Sequence, residues 1–187
     1  LFYLKFRNIM NGGDSSLFNN LIKFIEGKGY NIIGAHQISD NLTLTKGLYS
    51  ITKIVGKEND NIKIANYIAN KIGDLDIGQS VVVARERVLA VEAAEGTNSM
   101  LKRIIDLRIA SPDKGGVFFK TSQNIQDKRV DMPTIGPKTI DLVIKANLSG
   151  IAITQGDVIV LEYDKIIKLI NENNLFFIVI DRLSNDK

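Results

Sequence analysis

The spacing of apolar residues along the chain changes several times. Leu17, Leu21, Phe24 and Ile25 share one helical stripe, which Gly27 and Gly29 stop, and Asp14, Ser15 and Ser16 precede it as candidate caps. "YNIIGAH" (30–36) reads as a short buried strand. The polar, turn-rich stretch that follows, 38–57, reads as a connection between domains. Ile62, Ala65, Ile68, Ala69 and Ile72 return to helical spacing. "SVVVA" and "RVLAVEA" are rich in β-branched residues and flank Arg85–Glu86, which predicts a hairpin. After it come a helix in "NSMLKRIIDLR", a turn in "SPDKGG" and a strand in "VFFKTS". Later, "KTIDLVIKANL" and "YDKIIKLINENN" predict helices, while "GIAITQ", "VIVLE" and "LFFIVID" predict strands. A hairpin followed by alternating strands and helices predicts an α/β fold, with a mixed sheet and flanking helices over 58–187. Residues 1–13 show no period.

Composition narrows the chemistry. With no cysteine and one histidine, His36, thiolate metal sites, Cys nucleophiles and multi-histidine cages are excluded. A net charge of +3, without a basic stripe interleaved with aromatics, gives no sign of a nucleic-acid partner. No apolar run is long enough to span a bilayer and no secretory signal pattern is present, so the expected location is the cytoplasm. The chain begins with Leu1 rather than Met, which reads as a cut end.

The densest chemistry is in "QDKRVDMPTIGPKT" (126–139). Pro137 suits the first position of a helix, with Gly136 before it as an open cap. The backbone N–H groups of that helix end attract anions, and Thr134, Gly136, Lys138 and Thr139 lie at or near it. Lys128 and Arg129 add full positive charges just upstream. Asp127 and Asp131 have the wrong sign for a phosphate. They make sense if a divalent cation, Mg²⁺ or Mn²⁺, sits between carboxylate and anion. The alternative is a solvated charged loop that ends in a helix cap. A second strand–loop–helix junction is "VEAAEGTNSM", where Glu92 and Glu95 precede Gly96 and Thr97. There the alternative is an outward-facing strand glutamate and a turn glutamate. Gln79, beside Gly78, either hydrogen-bonds a base or sugar or belongs to a turn; Lys120 is a further candidate phosphate contact. No GxxxxGKS, GxGxxG or GxSxG motif is present.

In order, "LDIGQSVVV", "LAVEAAEGTNSML", "GGVFFK" and "QDKRVDMPTIGPKT" resemble the I-type UDP-2,3-diacylglucosamine pyrophosphatases, the LpxI family of lipid A synthesis. "GGDSSLFNNLIKFIEGKGYNIIGAHQI" is similar to the end of that family's N-terminal domain. The resemblance implies metal-assisted hydrolysis of a diacylated UDP-sugar to UMP and an acylated sugar 1-phosphate. It also implies a Rossmann-like N-terminal domain, here reduced to a remnant at 1–40, a linker at 41–57 and a catalytic domain at 58–187. Carried over position by position, Asp131 resembles the family's essential acid, Asp127, Arg129 and Lys120 match charged positions of its motif, and Gln79, Glu92, Glu95 and Thr97 match the other two motifs. Their chemistry then gives the expected roles: Asp131, Asp127 and Glu92 catalytic, Asp131 and Asp127 metal-binding, and Gln79, Glu95, Thr97, Lys120, Arg129, Thr134, Gly136 and Thr139 substrate-binding. The lipid substrate implies weak peripheral contact with a membrane surface, at the inner face of the inner membrane. A homodimer is also admitted. Two departures stand out: Asn98 replaces the family's usual Asp, and most of the N-terminal domain is missing. The second departure leaves a non-catalytic binder of an acylated sugar phosphate as the alternative.

Overall fold

The structure, a computed structural model, describes residues 14–109, 114–124 and 126–183. The aperiodic stretch 1–13 lies outside these residues, as do the side chains of the caps expected at Asp14, Ser15 and Ser16 and the first half, 111–113, of the "SPDKGG" turn. The chain opens with helix α1 (Asp14–Glu26), short helix α2 (Ala35–Ile38), a 3-10 turn (Asp40–Leu42) and strand β1 (Gly47–Leu48). Then come α3 (Glu58–Asp74), β2 (Ser80–Ala84), β3 (Arg87–Val91), α4 (Gly96–Ile109) and β4 (Val117–Lys120). The last part runs through β5 (Thr134–Ile135), α5 (Pro137–Lys145), β6 (Gly150–Thr154), β7 (Ile159–Val160), α6 (Tyr163–Glu172) and β8 (Phe176–Ile180).

Six strands form one sheet in the order β1-β8-β6-β4-β2-β3, and β5 and β7 form a separate parallel pair. β4, β6 and β8 run parallel, while the β2–β3 hairpin and β1 join antiparallel. The mixed sheet follows from the connections: a two-residue turn links β2 to β3, and helices carry the chain between the parallel strands. Side chains alternate across the sheet. On one face Val81, Val83, Val117, Phe119 and Phe176 meet Ile62, Ala65 and Ala69 of α3. On the other, Val82, Phe118, Ile151, Ile153 and Phe177 meet α4, α5 and α6. Both faces are covered, so β2, β4 and β6 are buried along their whole length. That is why they read as continuous apolar runs rather than as alternating ones.

Two expectations change. Residues 30–34 are not in a strand and 35–38 are helical; Tyr30 and Ile33 are exposed. A strand needs a neighbouring edge, and among the described residues none is offered to this segment. Helix α1 is therefore present without a companion strand among the described residues. Part of the stretch expected to be a linker is also used by the sheet: Gly47 and Leu48 of β1 pair with Val179 and Ile178 of β8.

Candidate active site

Register places the first functional groups. Ser80 at the start of β2 lies opposite Lys120 at the end of β4. One residue past β3, the Glu92 amide donates to the Ser80 carbonyl at 2.9 Å. Three polar side chains thus reach the same end of three adjacent strands, and all are buried: Ser80 is 0% exposed, Lys120 3% and Glu92 6%. Gly78 is required here, because a Cβ on it would lie 2.1 Å from the Glu92 carbonyl oxygen.

Buried polar groups must satisfy one another. The Ser80 hydroxyl donates to Glu92 Oε2. Thr97 Oγ1 donates to Glu92 Oε1 at 2.8 Å and accepts from Lys120 Nζ at 2.6 Å. Lys120 Nζ lies 3.7 Å from Glu92 Oε2. Burial holds the Lys120 pKa below its ordinary 10.5, while the charges of Glu92 and Asp131 work against that shift. Asp131 is therefore close enough to act on the same ammonium.

A cavity of about 460 Å³ opens over this floor. Gln79, Glu92, Gly96, Gln123, Gln126 and Asp131 line it, together with Asp76, Ile77, Gly78, Ala93, Ala94 and, from α1, Phe18. Gln126 Nε2 donates to Asp131 Oδ2 at 2.9 Å. Gln79 Oε1 is buried without a hydrogen-bond partner, an acceptor aimed at nothing in the protein. Gly96, the first residue of α4, adopts a φ of +78°, a left-handed conformation that favours glycine. The positive end of α4 thus opens on the cavity with Lys120 beneath it. A fixed cation and a helix N-terminus together suit a phosphate group.

Helix α5 does begin at Pro137 with Gly136 as its extended cap, but it faces elsewhere. Gly136, Pro137 and Lys138 line a groove with Leu161, Glu162 and Lys165. The reason lies between Asp131 and Pro137. Strand β5 pairs with β7, and that pairing carries the helix start away from the cavity. Thr134 is exposed and donates to the Met132 carbonyl at 3.2 Å. Thr139 is buried in the first turn of α5. The end that supplies cavity N–H groups is α4's rather than α5's.

The remaining candidates are partly engaged elsewhere. Both Asp127 carboxylate oxygens accept from Arg129, at 2.7–3.1 Å, and these hydrogen bonds hold the Asp127 pKa below its ordinary 3.8. Arg129 also donates to Glu26 of α1 at 2.7 Å. Glu95 is exposed and paired with Arg103. Of the candidates, Gln79, Glu92 and Asp131 line the cavity, and Thr97 and Lys120 join it through Glu92 without lining it themselves; Asp127, Glu95, Arg129, Thr134, Gly136 and Thr139 neither line it nor belong to that buried network. Ser80, Gln123, Gln126 and Phe18 are additions. Only Ser80 carried a signal, as a polar residue heading an otherwise apolar strand.

Among the described residues no group of three or more His, Cys, Asp or Glu side chains could hold a metal ion. A hard divalent cation needs fewer when phosphate oxygens complete its shell. Asp131 and Gln79 both line the cavity, and the Asp131 carboxylate with the buried, unpartnered Gln79 oxygen is a donor set that fits such an ion; the Asp127 carboxylate already faces a guanidinium.

Comparison with known proteins bears on the same residues. Residues 45–178 match the model of the LpxI C-terminal domain. The chain is also similar to UDP-2,3-diacylglucosamine pyrophosphatase LpxI of Caulobacter vibrioides, with 36% identity over 173 residues. That match covers 90% of this chain and 62% of the relative's length. The matched region contains the cavity floor, the start of α4 and the Asp131 loop, and by this match the chain belongs to the LpxI family.

Proposed function

We propose that this protein hydrolyses the diphosphate bond of UDP-2,3-diacylglucosamine, giving UMP and 2,3-diacylglucosamine 1-phosphate in lipid A synthesis. The observation that carries the reading is a cavity lined by Glu92 and Asp131, with Lys120 and Thr97 bound to Glu92 beneath it, in a chain of the LpxI family. The Lys120 ammonium and the N–H groups of α4 hold the diphosphate oxygens and offset charge that builds up on them. Glu92 keeps Lys120 protonated and aimed at the phosphate. Asp131 orients the attacking water and accepts its proton. Water oxygen bonds to one phosphorus as the bridging P–O bond breaks. When bound, Mg²⁺ or Mn²⁺ would neutralise phosphate oxygens, with Asp131 and Gln79 as its protein ligands. We read α1, which places Phe18 on the cavity and Glu26 on Arg129, as the part of an N-terminal domain that meets the site. An acylated substrate also implies contact of the protein with a membrane surface.

The test is UMP release from the acylated UDP-sugar with added metal. Asp131→Ala should lower the rate about 100-fold or more, the usual scale for losing a general base. Its melting temperature should stay within about 2 °C, because the side chain lines a cavity rather than filling the core. Full activity in that variant removes Asp131 from the mechanism. Bound lipid without UMP release from the wild type would favour a binder.

A further inference from the structure

Asp131 lines the cavity and Lys120 lies beneath it against Glu92, and the loop between them, 121–130, carries charges that do not line the cavity. Lys128 Nζ donates to Asp157 Oδ1. Asp157, in the turn between β6 and β7, is 5% exposed. Its Oδ2 accepts from Thr154 Oγ1 at 2.9 Å and lies 3.1 Å from Arg182 Nη2. Arg182, just past β8, donates to Thr121 Oγ1 at 3.0 Å and Ser122 Oγ at 2.8 Å, at the other end of the loop. The Thr121 and Thr154 hydroxyls are 2.7 Å apart. One buried carboxylate thus joins the C-terminal ends of parallel strands β4, β6 and β8, and grips the loop near both of its ends.

We propose that Lys128 and Asp157 are positioning residues for Asp131. Lys128 is the second residue of a turn in which the Val130 and Asp131 amides donate to the Asp127 carbonyl at 3.1 and 3.0 Å. Anchoring Lys128 to a carboxylate in the sheet fixes that turn, and the turn fixes the backbone of Asp131. Catalytic groups must be held within about 0.5 Å of their productive place, and a misplacement of about 1 Å costs on the order of 100-fold in rate. Lys128 is itself 41% exposed, so losing it perturbs the loop far more than the core. This inference rests on the hydrolase reading for its kinetic consequence, but not for its structural one.

The experiment uses Lys128→Met and Lys128→Arg in the whole chain, measuring kcat, KM and amide hydrogen exchange. Lys128→Met should lower kcat by about tenfold or more with KM within about threefold, since an orienting contact is lost rather than substrate binding. Exchange at Val130 and Asp131 should speed up while β6 and β8 stay protected. Lys128→Arg, which keeps the charge, should restore both. The proposal is overturned by wild-type kcat and exchange in Lys128→Met, by an equal loss in Lys128→Arg, or by exchange rising equally in β6 and β8. If the wild type releases no UMP, the hydrolase reading fails on its own. Exchange at Val130 and Asp131 then decides alone: faster in Lys128→Met supports the anchor, unchanged refutes it.

Discussion

Replacing Lys120 by Met tests the electrostatics of the cavity floor. The ammonium and the Glu92 carboxylate are nearly inaccessible, at 4% and 8% side-chain exposure. Without Lys120, the hydroxyl donors of Ser80 and Thr97 are what Glu92 keeps among the described residues. Removing one partner of a buried ion pair costs about 3–5 kcal/mol, because the other charge is left in a poor solvent. At about 2–4 °C per kcal/mol for a chain of this size, the melting temperature should fall by about 10 °C. The lowered Lys120 pKa shows burial winning over attraction by Glu92 and Asp131. Removing both charges should therefore be far less harmful than removing one: Lys120→Met/Glu92→Gln should recover to within about 2 kcal/mol of the wild type. Calorimetry reads the stabilities, and UMP release on the same samples should be lost in both variants. A single variant that melts within about 2 °C of the wild type would show that the pair is not a buried, coupled unit. So would a double variant no more stable than the single.

Gly78→Ala should cost about 1–3 kcal/mol and lower UMP release as well, because the new methyl collides with the Glu92 backbone rather than with a mobile side-chain tip. Normal melting with full activity would contradict the close approach of the two segments. Asp157 supplies a pH test. Burial pushes its pKa up, but the Lys128 hydrogen bond and the Arg182 charge outweigh burial and hold it below the ordinary 3.8. Its contribution is therefore present above 3.8 and lost as pH falls through the folded-state value. The melting-temperature gap between wild type and Asp157→Asn should shrink on acidification below that point; a constant gap would refute the assignment.

The helices that could be read from the chain are those whose partner is their own period. α3 and α6 follow from apolar spacing alone, and α5 from its Gly136–Pro137 start. "YNIIGAH" misled because an apolar run states that burial is available and not that an edge exists to pair with it. The glutamate at the start of the second junction was legible as a functional candidate, since the turn from β3 into α4 lies within six residues of sequence, from Glu92 to Thr97. What the α5 start faces was not legible, because that depends on β5 pairing with β7, and neither strand signals the other in sequence. The charged loop shows the same limit. Lys128 finds its partner at Asp157 and Arg129 finds one of its partners at Glu26. Neither contact exists until the sheet sets β4 beside β6 and α1 settles against the loop. Charges packed into a short loop need partners or water. The sequence therefore showed a concentration of charge that had to be balanced, and two very different answers, a bound metal phosphate or an internal clasp, balance it equally well on paper. The fold separates them residue by residue: Lys128, Asp127 and Arg129 hold the loop, while Asp131 lines the cavity beside Glu92.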